Sequence, residues 1–172
     1  MRNLLDFARE SEIKTEHLDI RDLIVETLKL AQNRIKLKGI KVETVFPENM
    51  PPIHGDRQQL VQVFLNLILN AVDAMDKGGI LKISTPHSKL PDFITIKFED
   101  NGCGIPHHML SSIFDPFFTT KSTGHGTGLG LSVSKGIIEK HGGDISAESR
   151  TGVGTAFYTS LPIAKIPAAL DK

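Results

Sequence analysis

The chain has 172 residues, 40% hydrophobic and 23% charged, the composition of a soluble globular protein, with one domain as the default. Its 20 basic and 20 acidic side chains balance, so nothing marks nucleic acid or an anionic membrane surface as a partner, and any phosphate recognition must be local. The single Cys103 excludes an internal disulfide framework, and with no signal-peptide pattern or membrane-length apolar run the chain reads as cytoplasmic.

Taken in order, residues 3–12, NLLDFARESE, read as the end of a helix that begins upstream. Asp19 is placed to cap a helix of about 18 residues with Leu23, Ile24, Leu28, Ala31 and Ile35 inward. Lys36, Lys38 and Gly39 close it with C-terminal charge and a glycine stop. Residues 40–46 form a strand candidate, ended by PENMPP. Asp56 then opens a central helix, QQLVQVFLNLILNAVDAMD over residues 58–76, which Gly78 and Gly79 end. Its apolar residues recur every three or four positions from Leu60 to Met75, the pattern of a buried face. Residues 80–85 and 93–99 alternate as neighbouring strands, with Leu81, Ile83, Ile94, Ile96 and Phe98 inward. A glycine-rich stretch over residues 100–130 is too long for a turn and reads as a binding loop or lid. Residues 130–141 form a last helix, residues 144–149 and 155–161 a hairpin around TGVG, and the tail from Pro162 is expected to fray.

Four segments carry candidate chemistry. On the central helix, Gln59, Gln62, Asn66, Asn70 and Asp73 fall in one stripe bordered by Val63 and Leu69. A solvated face favours long charged side chains, whereas asparagines among leucines fit a pocket floor, where amides need partners. The turn Asp100-Asn101-Gly102-Cys103-Gly104 follows a strand, so Asp100 is able to aim a carboxylate into a cleft and accept a hydrogen bond from an exocyclic amine. Residues 113–121, IFDPFFTTK, offer apolar anchors and the charge of Lys121. Finally GHGTGLGLS leads glycines into a helix N-terminus, where backbone N–H groups can approach phosphates, yet it is neither a P-loop nor the dinucleotide fingerprint.

In this order the four segments resemble the N, G1, F and G2 boxes of the histidine kinase catalytic domain, which has the Bergerat ATP-binding fold shared with type II topoisomerases, heat-shock protein 90 and the MutL proteins. The resemblance covers roughly residues 16–162. It implies an α+β fold: a two-layer α/β sandwich, its mixed, mostly antiparallel sheet packed against three helices. Residues 1–15 would then be the end of a dimerisation helix with its linker, and residues 163–172 a C-terminal tail. The implied cofactors are ATP and Mg²⁺, with Asn70 the metal ligand and Asn66 one turn before it. The resemblance assigns Asp100 the adenine amino group, with Gly102, Gly104 and Ile105 forming that wall. Phe114, Phe117, Gly126, Thr127, Gly128, Leu129, Gly130 and Leu131 complete the implied nucleotide set, together with Asp73 on the helix, and Lys121 would approach the γ-phosphate.

Two positions refine the implied activity. ATP-hydrolysing members of the wider family carry a water-activating glutamate four residues before the magnesium asparagine, but Asn66 stands here and has no base to offer. Asp73 replaces the lysine found in many histidine kinases. None of the seven histidines, His17, His54, His87, His107, His108, His125 and His141, has the sequence context of the phosphoacceptor, and all read as loop or helix-end residues. The expected reaction is therefore transfer of the γ-phosphoryl of ATP to a histidine on a separate dimerisation domain, for relay to a response regulator receiver domain. The rival readings are an ATPase of the same fold, a serine/threonine protein kinase of the same fold, and a non-catalytic nucleotide-binding module.

Overall fold

The computed structural model describes residues 15–88, 91–120 and 127–164. The expected upstream helix at residues 3–12 lies outside them. A five-stranded sheet carries the fold, with order β2 (Lys41–Val45), β4 (Ile80–Ser84), β5 (Phe93–Asp100), β7 (Gly154–Pro162) and β6 (Asp144–Arg150). Only β2 and β4 run parallel; the other pairs are antiparallel. Three helices pack on it: α1 (Ile20–Leu37), the central α2 (Arg57–Ala74) and α3 (Gly130–Lys140). This is the two-layer α/β sandwich that the boxes imply.

The core forms where helix and strand periods meet. Leu60, Val63, Phe64, Leu67, Ile68, Ala71 and Val72 of α2 are buried, and so are Leu81, Ile83, Ile94, Ile96 and Phe98 of the sheet. The expected caps also form, with the Asp19 carboxylate accepting from Arg21 N–H and the Asp56 carboxylate from Gln59 N–H, each satisfying a helix donor that has no intrahelical partner. At the far end of α3, His141 Nε2 accepts from Asp56 N–H at 2.9 Å while Nδ1 donates to the Ile137 carbonyl at 2.8 Å. That imidazole ties the end of α3 to the start of α2.

The structure departs from the sequence reading in four places. Leu28 is only partly buried, and Thr27 fills the inward position instead, its hydroxyl satisfied by the Leu23 carbonyl at 2.7 Å. The central helix stops at Ala74, before Gly78, because Met75 is extended (φ −95°, ψ 141°) and enters the core from the turn. Two three-residue strands, β1 (Glu16–Leu18) and β3 (Ile53–Gly55), pair as a separate antiparallel ribbon, too short to show alternation. Their pairing sets His17 opposite His54 with ring centroids 5.0 Å apart, so these two histidines are strand residues. Lastly, the chain does not fray at Pro162: Ile163 bridges to Ile53, and Ala164 N–H donates to the Pro52 carbonyl at 2.8 Å. Residues 165–172 of the expected tail lie outside the described part.

Candidate functional site

Between α2, the end of β5 and the start of α3 lies a cavity of about 510 Å³. Helix α2 contributes Asn66, Asn70, Asp73 and Ala74, the first three from the polar stripe. Their places differ in kind. Asn66 Nδ2 donates to Ser134 Oγ of α3 at 3.0 Å, and a Cβ on Gly130 would collide with Asn66 Oδ1, so Asn66 belongs to the α2–α3 contact. Asn70, one turn on, lines the cavity. The stripe's Gln62 is exposed and lies off the cavity.

Asp100 ends β5 against Thr155 of β7 and is buried, yet it borders the cavity. One carboxylate oxygen accepts from Gly102 N–H at 2.8 Å. Burial pushes this carboxyl above the ordinary aspartate range, and the backbone N–H groups of Gly102 and Thr155 offset part of that push. Gly104 turns with φ +71°, and a Cβ there would strike the Arg150 carbonyl, so the wall beside Asp100 requires glycine. Gly102 holds Asp100 without lining the cavity, whereas Cys103, Gly104 and Ile105 line it.

At the opposite end, Thr127, Gly128, Gly130 and Leu131 line the cavity. Among the described residues no side chain caps the start of helix α3, and N–H groups at such a start are the kind that an anion accepts from. Gly128 has φ +67°, and a Cβ on it would meet the backbone of Phe117. Phe117 itself has φ +67° and is 72% exposed. This conformation turns its ring to solvent, and Phe118 faces the cavity in its place. Phe114 packs edge-on against Phe157 with centroids 6.5 Å apart, so it supports a lining residue and does not line. Leu129 sits at the cap of α3, off the cavity. Lys121 and Gly126 lie outside the described residues.

Two cations of α1 and its C-cap differ from the sequence reading: Arg34 goes unmentioned there, and Lys38 is expected to complement its own helix. Arg34 lines the cavity and its Nη2 bonds Asp73 Oδ1 at 2.8 Å. Lys38 does not serve its own helix: its ammonium donates to the carbonyls of Val72 at 2.8 Å and Met75 at 2.7 Å at the end of α2. Nothing local in the sequence links these residues to targets more than 30 positions away. Phe118 is legible in the sequence as part of the IFDPFF segment.

Among the described residues, no group of three or more His, Cys, Asp or Glu side chains is arranged to hold a metal ion. Asn70 brings an amide, whose oxygen is a hard donor of the kind a small divalent cation accepts, so the lining is compatible with such an ion. No helix among the described residues is long and apolar enough to cross a membrane.

Comparison with known proteins agrees with this geometry. Residues 55–165 match the family described as Histidine kinase-, DNA gyrase B-, and HSP90-like ATPase. The chain is similar to the sensor kinase CckA of Brucella abortus (strain 2308), 38% identical over 175 residues, covering 94% of this chain and 18% of CckA. It thus spans less than a fifth of that relative's length. Among solved structures, the catalytic domain of histidine kinase ThkA superposes with a TM-score of 0.77 at 31% identity, covering 88% of this chain and 99% of that domain. ThkA in complex with response regulator protein TrrA aligns with a TM-score of 0.78 at 28% identity, covering 94% of this chain and 45% of ThkA. With the family match and near-complete coverage of the ThkA domain, the chain belongs to the histidine kinase-, DNA gyrase B- and HSP90-like ATPase family, as a histidine kinase catalytic domain.

Proposed function

We propose that this chain binds ATP with Mg²⁺ and transfers the γ-phosphoryl to a histidine on a separate dimerisation domain, from which a response regulator receiver domain takes it. The observation that carries transfer over hydrolysis is Asn66, an amide already committed to Ser134 at the position where hydrolysing relatives need a base. Water in the cavity then has no carboxylate there to activate it.

In this reading Asp100 accepts from the adenine amino group, and the wall at Gly104 lets the base lie close to the backbone. Asn70 offers its amide oxygen to Mg²⁺, which when bound neutralises charge on the phosphates. The N–H groups at the start of α3 and the backbone at Gly128 receive the phosphate chain, and Lys121 approaches its end. The acceptor imidazole forms a P–N bond to the γ-phosphorus as the bond to the β–γ bridging oxygen breaks, and ADP leaves with that electron pair. ATP supply places the reaction in the cytoplasm.

The test supplies a separate dimerisation domain bearing its histidine and follows labelled phosphate from ATP with Mg²⁺. Wild type should label that domain, not itself, and release little free phosphate. Asn70→Ala should lose transfer and keep part of its metal-free nucleotide binding. Self-labelling of wild type, or full transfer by the variant, would overturn the mechanism.

A further inference from the structure

We infer that Asp73 and Arg34 form a sugar-reading pair, in which Asp73 accepts hydrogen bonds from the ribose hydroxyls and Arg34 holds its carboxylate in place. The inference rests on the nucleotide reading above and adds to it the sugar, which that reading leaves unassigned.

Position along α2 places the pair. At one end, Asn66 abuts Gly130 at the start of α3, the phosphate end. At the other, the Ala74 carbonyl accepts Cys103 N–H at 3.0 Å, beside Asp100 and the base wall. The axis of α2 therefore runs alongside the ligand, and the seven steps from Asn66 to Asp73 span about 10 Å at the helical rise. Asp73 lies at the base end, about one turn beyond Asn70, where a nucleotide with its base at Asp100 and its phosphates at Gly128 and Gly130 presents its sugar. A carboxylate has several acceptor sites and no donor, so it suits a vicinal diol and repels a bare phosphate. Arg34 arrives from α1, and its bond to Oδ1 fixes the rotamer of a side chain that is 22% exposed. A planar guanidinium held this way retains further N–H donors for the ligand. The pair also accounts for an acid where many histidine kinases have lysine: the positive charge at this level of the cavity comes from another helix.

Calorimetric titration of the 172-residue chain with ATP, 2′,3′-dideoxy-ATP and GTP tests this. Wild type should prefer ATP to the dideoxy analogue by roughly tenfold or more, the value of a hydrogen bond to a charged acceptor. Asp73→Ala should bring the two adenine nucleotides to nearly equal affinity. Arg34→Ala should reduce that preference and leave the preference for ATP over GTP intact, a pattern that general loosening of the site would not produce. Thermal melts confirm that both variants fold; the pair sits on the face of α2 away from its buried residues. Equal binding of ATP and the dideoxy analogue by wild type, or an unchanged ratio in Asp73→Ala, overturns the sugar assignment alone. Failure of wild type to bind ATP at all overturns the nucleotide reading together with it.

Discussion

Asn66 Nδ2 and Ser134 Oγ, 68 positions apart in the chain, meet at 3.0 Å and join the middle of α2 to the first turns of α3. Ser134 is buried, whereas Asn66 borders the cavity, so the bond is sealed from solvent on the hydroxyl side alone. Ser134→Ala leaves the Asn66 amide to cavity water and is expected to cost about 0.5–1.5 kcal/mol of stability. Denaturant unfolding measures this. An unchanged midpoint would show that the contact contributes nothing, and ATP affinity should fall in parallel because Gly130 packs on the same asparagine.

Asp100 sets function against stability. Its folded carboxyl titrates above the value of the unfolded chain because it is buried, so between the ordinary aspartate value near 3.9 and the raised one the folded state holds the proton more tightly. Stability contributed by this group is therefore greatest at low pH, declines as pH rises through that window, and stays reduced above it. Asp100→Asn should abolish that decline and leave the fold at least as stable at neutral pH. The same change should weaken ATP by about 1.5–3 kcal/mol, since the amine of the base loses a charged acceptor. Wild-type ATP affinity should rise with pH across the same window. Titrations and unfolding curves at stepped pH check all three, and ATP binding by the variant equal to wild type would refute the adenine assignment.

Lys38 secures the end of α2 from the neighbouring helix. Its ammonium bonds the Val72 and Met75 carbonyls, which no residue within α2 can satisfy. Lys38→Met keeps the apolar stem and removes the charge, with an expected loss of about 1.5–3 kcal/mol. Because Asp73 and Ala74 line the cavity at this end, nucleotide affinity should drop as well. A wild-type melting temperature would exclude the clamp.

Gly128 and Gly152 separate backbone cost from site geometry. Both have positive φ, +67° and +75°, but a Cβ on Gly152 meets nothing within 4 Å whereas one on Gly128 runs into the backbone of Phe117. Gly152→Ala should cost about 1 kcal/mol, the conformational penalty alone. Gly128→Ala should cost more and weaken ATP binding, because Phe117 must shift and carry Phe118 with it. Equal effects of the two substitutions on ATP affinity would show that the Phe117–Gly128 contact does not shape the site.

Local sequence determined the elements and the site's constituents. The spacing of apolar residues in α2 marked its buried face and left Asn66, Asn70 and Asp73 on one stripe, while alternation in β4 and β5 marked Leu81, Ile83, Ile94, Ile96 and Phe98 as inward. Both follow from the fixed periods of helix and strand. What packing alone decided lies between elements. The Arg34–Asp73 and Lys38–Val72 contacts span 39 and 34 positions, and a helix's own period says only that such side chains point outward, not which neighbour they reach. The choice of Phe118 over Phe117 rests on one positive φ at a residue that rarely adopts it, held by the close approach of Gly128. Strands β1 and β3 exist because the ribbon pairs them, since three residues are too few to encode a period. Short-range order is written in the spacing of side chains; long-range partners depend on the angles and distances at which the finished elements pack.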